Sequence, residues 1–169
     1  MLKGKPVVFL DPKGDGGGLR KFIHLCRVTG RDYQIFSDFY EGDASVNLNP
    51  AKEGDFTEIA DRIHTSFKWS EEHYEVLCYR ALKKACALLQ ESGERTSLSK
   101  ILEKLKEISR PKDKSALFKR DDIEGIISRL ENTVESKFGE KLGVEGLSFS
   151  EVWKNKKCLY IGLPALGYP

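Results

Sequence analysis

A strand-like run followed by a glycine-rich loop is the first feature of the sequence with the residue types for chemistry. The apolar run Pro6–Leu10 ends at Asp11, and Pro-Lys-Gly-Asp then leads into three glycines, Gly16–Gly18. Glycines free backbone N–H groups, and the helix predicted next offers its N-terminus to an anion. Asp11 also stands where ATPases hold magnesium, directly after an apolar strand. The pattern leaves two interpretations open: direct nucleotide binding by the loop, or a structural turn near a site.

Motifs that define a catalytic site by their spacing are absent from the sequence. Neither G-x-x-x-x-G-K-[ST] nor G-x-G-x-x-G occurs, and there is no G-x-S-x-G elbow. His24, His64 and His73 fall in separate predicted helices and have no partner at the spacing of a dyad or zinc motif. We therefore predict no catalytic residue and no metal ligand, and we expect the histidines at surface or boundary positions.

Basic residues concentrate between positions 100 and 120. The stretch has a local charge of +5, whereas the formal net charge of the chain is +2. Its basic residues are Lys100, Lys104, Lys106, Arg110, Lys112, Lys114, Lys119 and Arg120. Part of this pattern is typical of a solvated helix face with acids one turn away. The segment 110–114 is a predicted loop, from which basic groups reach a phosphate backbone. A solvated face and a nucleic-acid or partner patch are both retained as hypotheses.

Aromatic residues near this region give a further option. Trp69, Tyr74 and Tyr79 have side chains that stack on bases in single-stranded nucleic acid. At least Tyr79 is expected to pack in the core instead.

Composition limits the class of protein. A length of 169 residues suits one modest domain with a core, or a small domain with an insertion. The near balance of charge excludes a strongly basic arm or an acidic tail as the main feature. No apolar run approaches the ~18 residues of a membrane-spanning helix, and the start does not resemble a signal peptide. The four cysteines form no Cys-x-x-Cys pair, which predicts buried, reduced thiols in a cytosolic protein.

Hydrophobic periodicity predicts the elements that position these residues. The first part indicates strand 6–10, buried on both faces, then helix 19–29 and strand 33–36. The middle has a period near 3.6, and the end returns to a capping box, Ser148 with Glu151, and a strand. The predicted later elements are helices 56–67, 70–91 (capped by Ser70), 98–108, 116–118 (capped by Asp113), 123–138 and 150–155, and strand 157–163. The chain is therefore predicted to be mainly α, with an all-α domain inserted between strands of a partial parallel α/β sheet. The expected boundaries are 1–50, 51–147 and 148–169.

The two ends of the chain resemble a known family. The stretch Gly4–Asp15 (GKPVVFLDPKGD), then Gly30–Phe36 and the turn Asn47–Pro50, resembles the TraD/TraG-like coupling-protein ATPases of conjugation and type IV secretion. That family has a strand–DPKG(D/E) segment after its P-loop helix, then a short strand and an LNP-type turn. The ending Leu147–Leu166 is similar to the segment that returns from the family's all-α domain to its RecA-like sheet. The triple glycine departs from the family pattern, and the helical middle matches only in place and size.

The resemblance implies a specific role. The chain would be the middle of a hexameric DNA-translocating ATPase at the cytoplasmic face of the bacterial inner membrane, with the P-loop before Met1 and the magnesium-binding acid after Pro169. ATP and Mg²⁺ would belong to the full-length family, with no cofactor and no enzymatic activity in this chain. Asp11, Lys13 and Asp15 would lie near the nucleotide edge of the sheet without a catalytic role.

The implied partners follow from the same resemblance. They are single-stranded DNA, a relaxase or another secretion substrate, further coupling-protein subunits in the hexamer, and secretion-channel proteins. Two alternatives remain. One is a small stand-alone nucleotide-binding protein that uses the loop Asp11–Gly18, and the other is a protein-only adaptor for a relaxase or a secretion chaperone.

Overall fold

The protein has a mainly α fold with a small parallel sheet. A computed structural model describes residues 4–13, 16–110 and 116–163, and within them there are six α-helices and three strands. In chain order the elements are β1 (Val7–Asp11), α1 (Gly17–Val28), β2 (Tyr33–Phe36), α2 (Phe56–His64), α3 (Glu72–Glu91), α4 (Leu98–Ile108), α5 (Arg120–Val134), a 3₁₀ turn (Gly139–Lys141), α6 (Phe149–Lys154) and β3 (Cys158–Gly162). The chain separates into two compact units, a helical unit Asn49–Val144 and an α/β unit made of the residues up to Leu48 and from Glu145 onward.

The α/β unit is built on the last strand of the chain. The strand order is β1-β3-β2 with all pairs parallel, and Cys158 of β3 is in register with both Val7 and Tyr33. All five residues of β3 are buried, as its continuous apolar sequence predicts. Helix α1 packs Phe22 and Cys26 on one face of this sheet.

Strand β1 is not buried on both faces, so that prediction was wrong. Among the described strands β1 has β3 as its only neighbour, which makes it an edge strand. Phe9 contacts the rings of Phe22 and Tyr160 on the α1 face. Alternation places Val8 and Leu10 on the opposite face, where they remain 48% and 57% exposed, and Phe9 itself remains 43% exposed. An apolar run alone does not distinguish an edge strand from a central one.

The helical unit has its own core. Helix α3 contacts α2, α4 and α5 and supplies buried residues along its length. Asp55 begins α2 with a capping box to Glu58, and the Ser97 hydroxyl begins α4 by accepting from the Lys100 amide at 3.3 Å. The core residues are Ala51, Ile59, Ala60, Ile63, Cys78, Ala81, Leu82, Ala85, Cys86, Leu89, Leu98, Ile101, Leu102, Leu105, Ile108, Ile123, Ile126, Ile127 and Leu130.

Several predicted helix ends differ from those in the structure. Helix α3 begins after Glu71 rather than at a Ser70 cap. The short helix predicted at 116–118 is absent, because the Leu117 and Phe118 amides both donate to the Ile108 carbonyl at the end of α4. Asp113, its predicted cap, lies outside the described residues. Helix α5 ends at Val134, four residues earlier than predicted. The capping box of Ser148 with Glu151 is confirmed at the start of α6.

Candidate nucleic-acid interface

The acid at the end of β1 is held by the protein itself. The Asp11 side chain is buried, its Oδ1 accepts from the Lys13 amide at 3.0 Å, and its Oδ2 accepts from the Tyr160 hydroxyl. Lys13 thus approaches Asp11 through its backbone, and its side chain is exposed. Asp15 lies outside the described residues. Both carboxylate oxygens therefore have donors within the α/β unit, which is the arrangement expected of a structural turn.

Two glycines of the loop, Gly16 and Gly18, have a steric reason for their position. Gly16 precedes α1 with a φ of 72°, in the left-handed region that glycine favours. Gly18 lies in the first turn of α1, where an added Cβ would come within 2.6 Å of Asp11 Oδ2. Close approach of the helix to this buried carboxylate requires glycine at position 18. The packing of α1 against the strand end thus accounts for Gly18.

Ion pairs occupy half of the predicted basic patch. Lys100 pairs with Glu103 at 3.1 Å, Lys104 with Glu107 at 2.7 Å, Lys106 with Glu131 at 2.6 Å and Arg120 with Glu124 at 2.5 Å. Hydrogen bonds from Lys104 and Arg120 lower the pKa of the Glu107 and Glu124 carboxyls, respectively. Lys100, Lys104 and Arg120 thus pair with acids one turn away, the geometry of a solvated helix face. Lys106 pairs instead with an acid of α5.

The rest of the predicted patch divides in two. Arg110 and Lys119 are exposed, and neither has a carboxylate within 4.0 Å among the residues that the structure describes. Lys112 and Lys114 belong to the segment 111–115, outside the described residues.

A second group of cations, which the sequence analysis missed, lines a groove on α3. Arg80, Lys83 and Lys84 supply its charged lining, and Leu117 and Phe118 supply its apolar wall, around a volume of about 460 Å³. Within the described part of the chain none of the three cations has a carboxylate within 4.0 Å. The groove therefore joins three uncompensated positive charges to an apolar wall, and Leu117 in that wall is 57% exposed. We call this the α3 groove.

Aromatic rings flank the α3 groove. The Lys83 ammonium lies 5.9 Å from the Phe56 ring centroid and 5.5 Å from that of Tyr79, both within cation–π range. Phe56 is 39% exposed, whereas Tyr79 packs partly against the core and donates its hydroxyl to Asp61. That hydrogen bond raises the pKa of Tyr79. The prediction that Tyr79 packs against the core is confirmed.

One sequence signal identifies these cations. Arg80, Lys83 and Lys84 have helical i, i+3 and i+4 spacing, and the chain has no acid between Glu75 and Glu91. The stretch 100–120 has the larger count of basic residues. Acids one turn away neutralise much of that longer stretch, and α3 has no such acids.

The other two aromatic candidates border a separate cavity. The Trp69 ring stacks on the His64 ring with 4.9 Å between their centroids. The guanidinium of Arg129, a residue of α5, lies 4.7 Å from the Trp69 ring centroid. The Trp69 indole N–H donates to the His64 carbonyl at 3.0 Å. This cavity of about 250 Å³ is lined by Trp69, Ser70, Glu71, Tyr74, Cys78, Asp121, Gly125 and Arg129. Trp69 is thus engaged within the fold, and Tyr74 is exposed.

The described residues contain neither a cluster of metal ligands nor a membrane-spanning helix. No group of three or more His, Cys, Asp or Glu side chains there has the geometry of a metal site. None of the described helices combines the length and apolarity needed to cross a bilayer. Comparison of the chain with protein-family models, curated proteins and solved structures gives no match.

Proposed function

We propose that the chain is the substrate-recognition part of a coupling-protein-like DNA translocase of conjugation or type IV secretion. In this proposal the helical unit receives single-stranded DNA or a relaxase–DNA complex, and the α/β unit is part of a RecA-like sheet. The supporting observation is the order of the elements. The helical unit lies in the chain between β2 and β3, which are neighbours in one parallel sheet that begins with the strand–DPKG segment.

The proposal assigns no ATP hydrolysis to this chain. A translocase needs a P-loop lysine and glycine-rich backbone to hold the β- and γ-phosphates, and the sequence has no such motif. The engaged carboxylate of Asp11 supports the same assignment. ATP, Mg²⁺, a hexamer of similar subunits, channel proteins and a place at the cytoplasmic face of the inner membrane belong to the full-length protein in this proposal.

The test is capture of a transfer substrate. The purified chain is immobilised and offered a conjugative relaxase, either free or covalently joined to its single-stranded oligonucleotide. We expect retention of the covalent complex, and no ATP turnover above that of a Lys13→Ala variant. Failure to retain either form of the relaxase, or ATP hydrolysis that the Lys13→Ala substitution abolishes, would contradict the proposal.

A protein-only adaptor is the second candidate, supported by the cavity at Trp69. Trp, Tyr and Arg are the residues that dominate protein–protein hot spots, and Trp69, Tyr74 and Arg129 all line this cavity. The same capture experiment separates the candidates. An adaptor retains the free relaxase as well as the complex after nuclease digestion, and it binds no naked oligonucleotide.

A further inference from the structure

We propose that the α3 groove is a binding site for the backbone of single-stranded nucleic acid. This inference rests on the proposed function and names the surface that would contact the DNA. It assigns the contact to Arg80, Lys83 and Lys84 rather than to the basic stretch 100–120.

The positive charges of the α3 groove favour a polyanionic ligand. Arg80 is exposed, and Lys83 and Lys84 are half-buried, with no described carboxylate within 4.0 Å of any of them. A phosphate that meets these groups releases counterions without first breaking an ion pair. By contrast, Lys100 and Lys104 must leave Glu103 and Glu107 before they bind a phosphate. The groove is therefore a more favourable polyanion site than the ion-paired lysines Lys100 and Lys104.

The apolar side chains of the α3 groove favour a single strand over a duplex. Leu117 and Phe118 line the groove together with the three cations, and Phe56 lies beside Lys83. In duplex DNA the bases are stacked inside and offer phosphates alone at such a surface. A single strand also offers unstacked bases, which gain free energy on aromatic and apolar side chains. The combination of cations with exposed apolar groups thus favours a single strand.

The segment that contains Leu117 and Phe118 is held in position before a ligand binds. The amides of Leu117 and Phe118 donate to the Ile108 carbonyl at 3.0 and 3.2 Å, which ties this segment to the end of α4. Phe118 packs partly against the core of the helical unit. Both walls of the groove are thus supported by hydrogen bonds and packing before a ligand arrives, which lowers the entropy cost of binding.

Fluorescence anisotropy of a labelled oligo-dT tests the proposal. Three phosphate contacts predict that a fourfold increase in salt weakens binding about 18-fold, since each contact adds about 0.7 to the logarithmic slope for single strands. Lys83→Gln/Lys84→Gln removes two contacts, and the same increase in salt should then weaken binding only about 2.6-fold. The control is Lys100→Gln/Lys104→Gln, which changes the net charge equally but removes ion-paired lysines. Leu117→Ser should lower the preference for oligo-dT over a matched duplex without changing the salt slope.

Each outcome bears on the proposal. A flattened salt slope in the groove variant but not in the control supports it. Equal effects of the two double variants, absence of binding at low salt, or equal affinity for the duplex would overturn it. Displacement of oligo-dT by pyrophosphate at the same phosphate concentration would assign the groove to small anions and also overturn it. Retention of the relaxase–DNA complex by a chain that binds no oligo-dT leaves the proposed function standing, which distinguishes the two failures.

Discussion

Replacement of Gly18 by alanine tests whether Asp11 is a structural acid. An added Cβ would lie 2.6 Å from Asp11 Oδ2, 3.4 Å from its Cγ and 3.7 Å from Phe9 Cε1. Asp11 cannot move aside without loss of its hydrogen bonds to Tyr160 and the Lys13 amide. Alanine gains up to about 1 kcal/mol in helix propensity over glycine. Overpacking of a buried site costs about 1–3 kcal/mol. That gain applies to helix interiors, and Gly18 lies in the first turn of α1, so most of the overpacking cost remains. We therefore expect a net destabilisation of about 1–2 kcal/mol.

The assay is urea unfolding of the complete chain, monitored by a probe that reports on the α/β unit. Asp11→Ala supplies the matched background, because it removes the atoms that the new methyl group would meet. In that background Gly18→Ala should stabilise rather than destabilise, so that the two substitutions are strongly coupled. A Gly18→Ala protein as stable as the parent, or additive effects of the two changes, would refute the inference that α1 packs closely on a fixed carboxylate.

Three further predictions concern the helical unit and the cysteines. Asn49→Ala removes three hydrogen bonds of a buried amide and should lower the free energy of unfolding in urea by about 2–3 kcal/mol. A loss below about 0.5 kcal/mol would contradict a stabilising role of the Asn49 side chain. Burial raises the pKa of Cys86 to about 12 and that of Cys26 to about 11, above the ordinary value of 9.0. Because the folded state holds these protons more tightly, their stabilising effect is complete below pH 9 and is lost as the pH rises through 11 to 12; Ellman's reagent should label both thiols only on unfolding. The pair Lys106–Glu131 is partly exposed, and a double-mutant cycle should give a coupling below about 1 kcal/mol that vanishes in high salt.

Elements with a strong periodic pattern could be predicted from the sequence, and element ends could not. The repeat of apolar residues at helical spacing identified α3, α4 and α5, because one face of each helix enters a common core. In place of the supposed helix at 116–118, the Leu117 and Phe118 amides donate to the Ile108 carbonyl, a contact that leaves no periodic pattern. At the end of α5 the Ser136 hydroxyl donates to the Thr133 carbonyl at 2.7 Å and accepts from the Gly139 amide at 2.9 Å, whereas apolar spacing alone extended the helix to 138. The exposure of β1 likewise depends on its place in the sheet.

The candidate site illustrates a related limit. A count of basic residues located the stretch 100–120, but the count contains no information on which cations are already paired. Lys106 pairs with Glu131 on another helix, and sequence spacing cannot predict that contact. The positions of Arg80, Lys83 and Lys84 could be predicted, since a helical run without acids predicts cations without ion pairs on one helix face. The apolar wall could not, because it depends on the contact of Leu117 and Phe118 with the end of α4.

The hydrogen bonds of Asn49 have a consequence for the evolution of the chain. Its amide donates to the carbonyls of Thr96 and Val144 at 2.9 and 3.2 Å, so the first and last residues of the helical unit are fastened side by side. In the α/β unit the flanking residues Leu48 and Leu147 are likewise bridged. A module whose entry and exit are adjacent can be inserted into a host sheet, lost or exchanged without separating the strands around it. Under the proposed function, the substrate range would change by replacement of this one unit while the host sheet keeps its sequence.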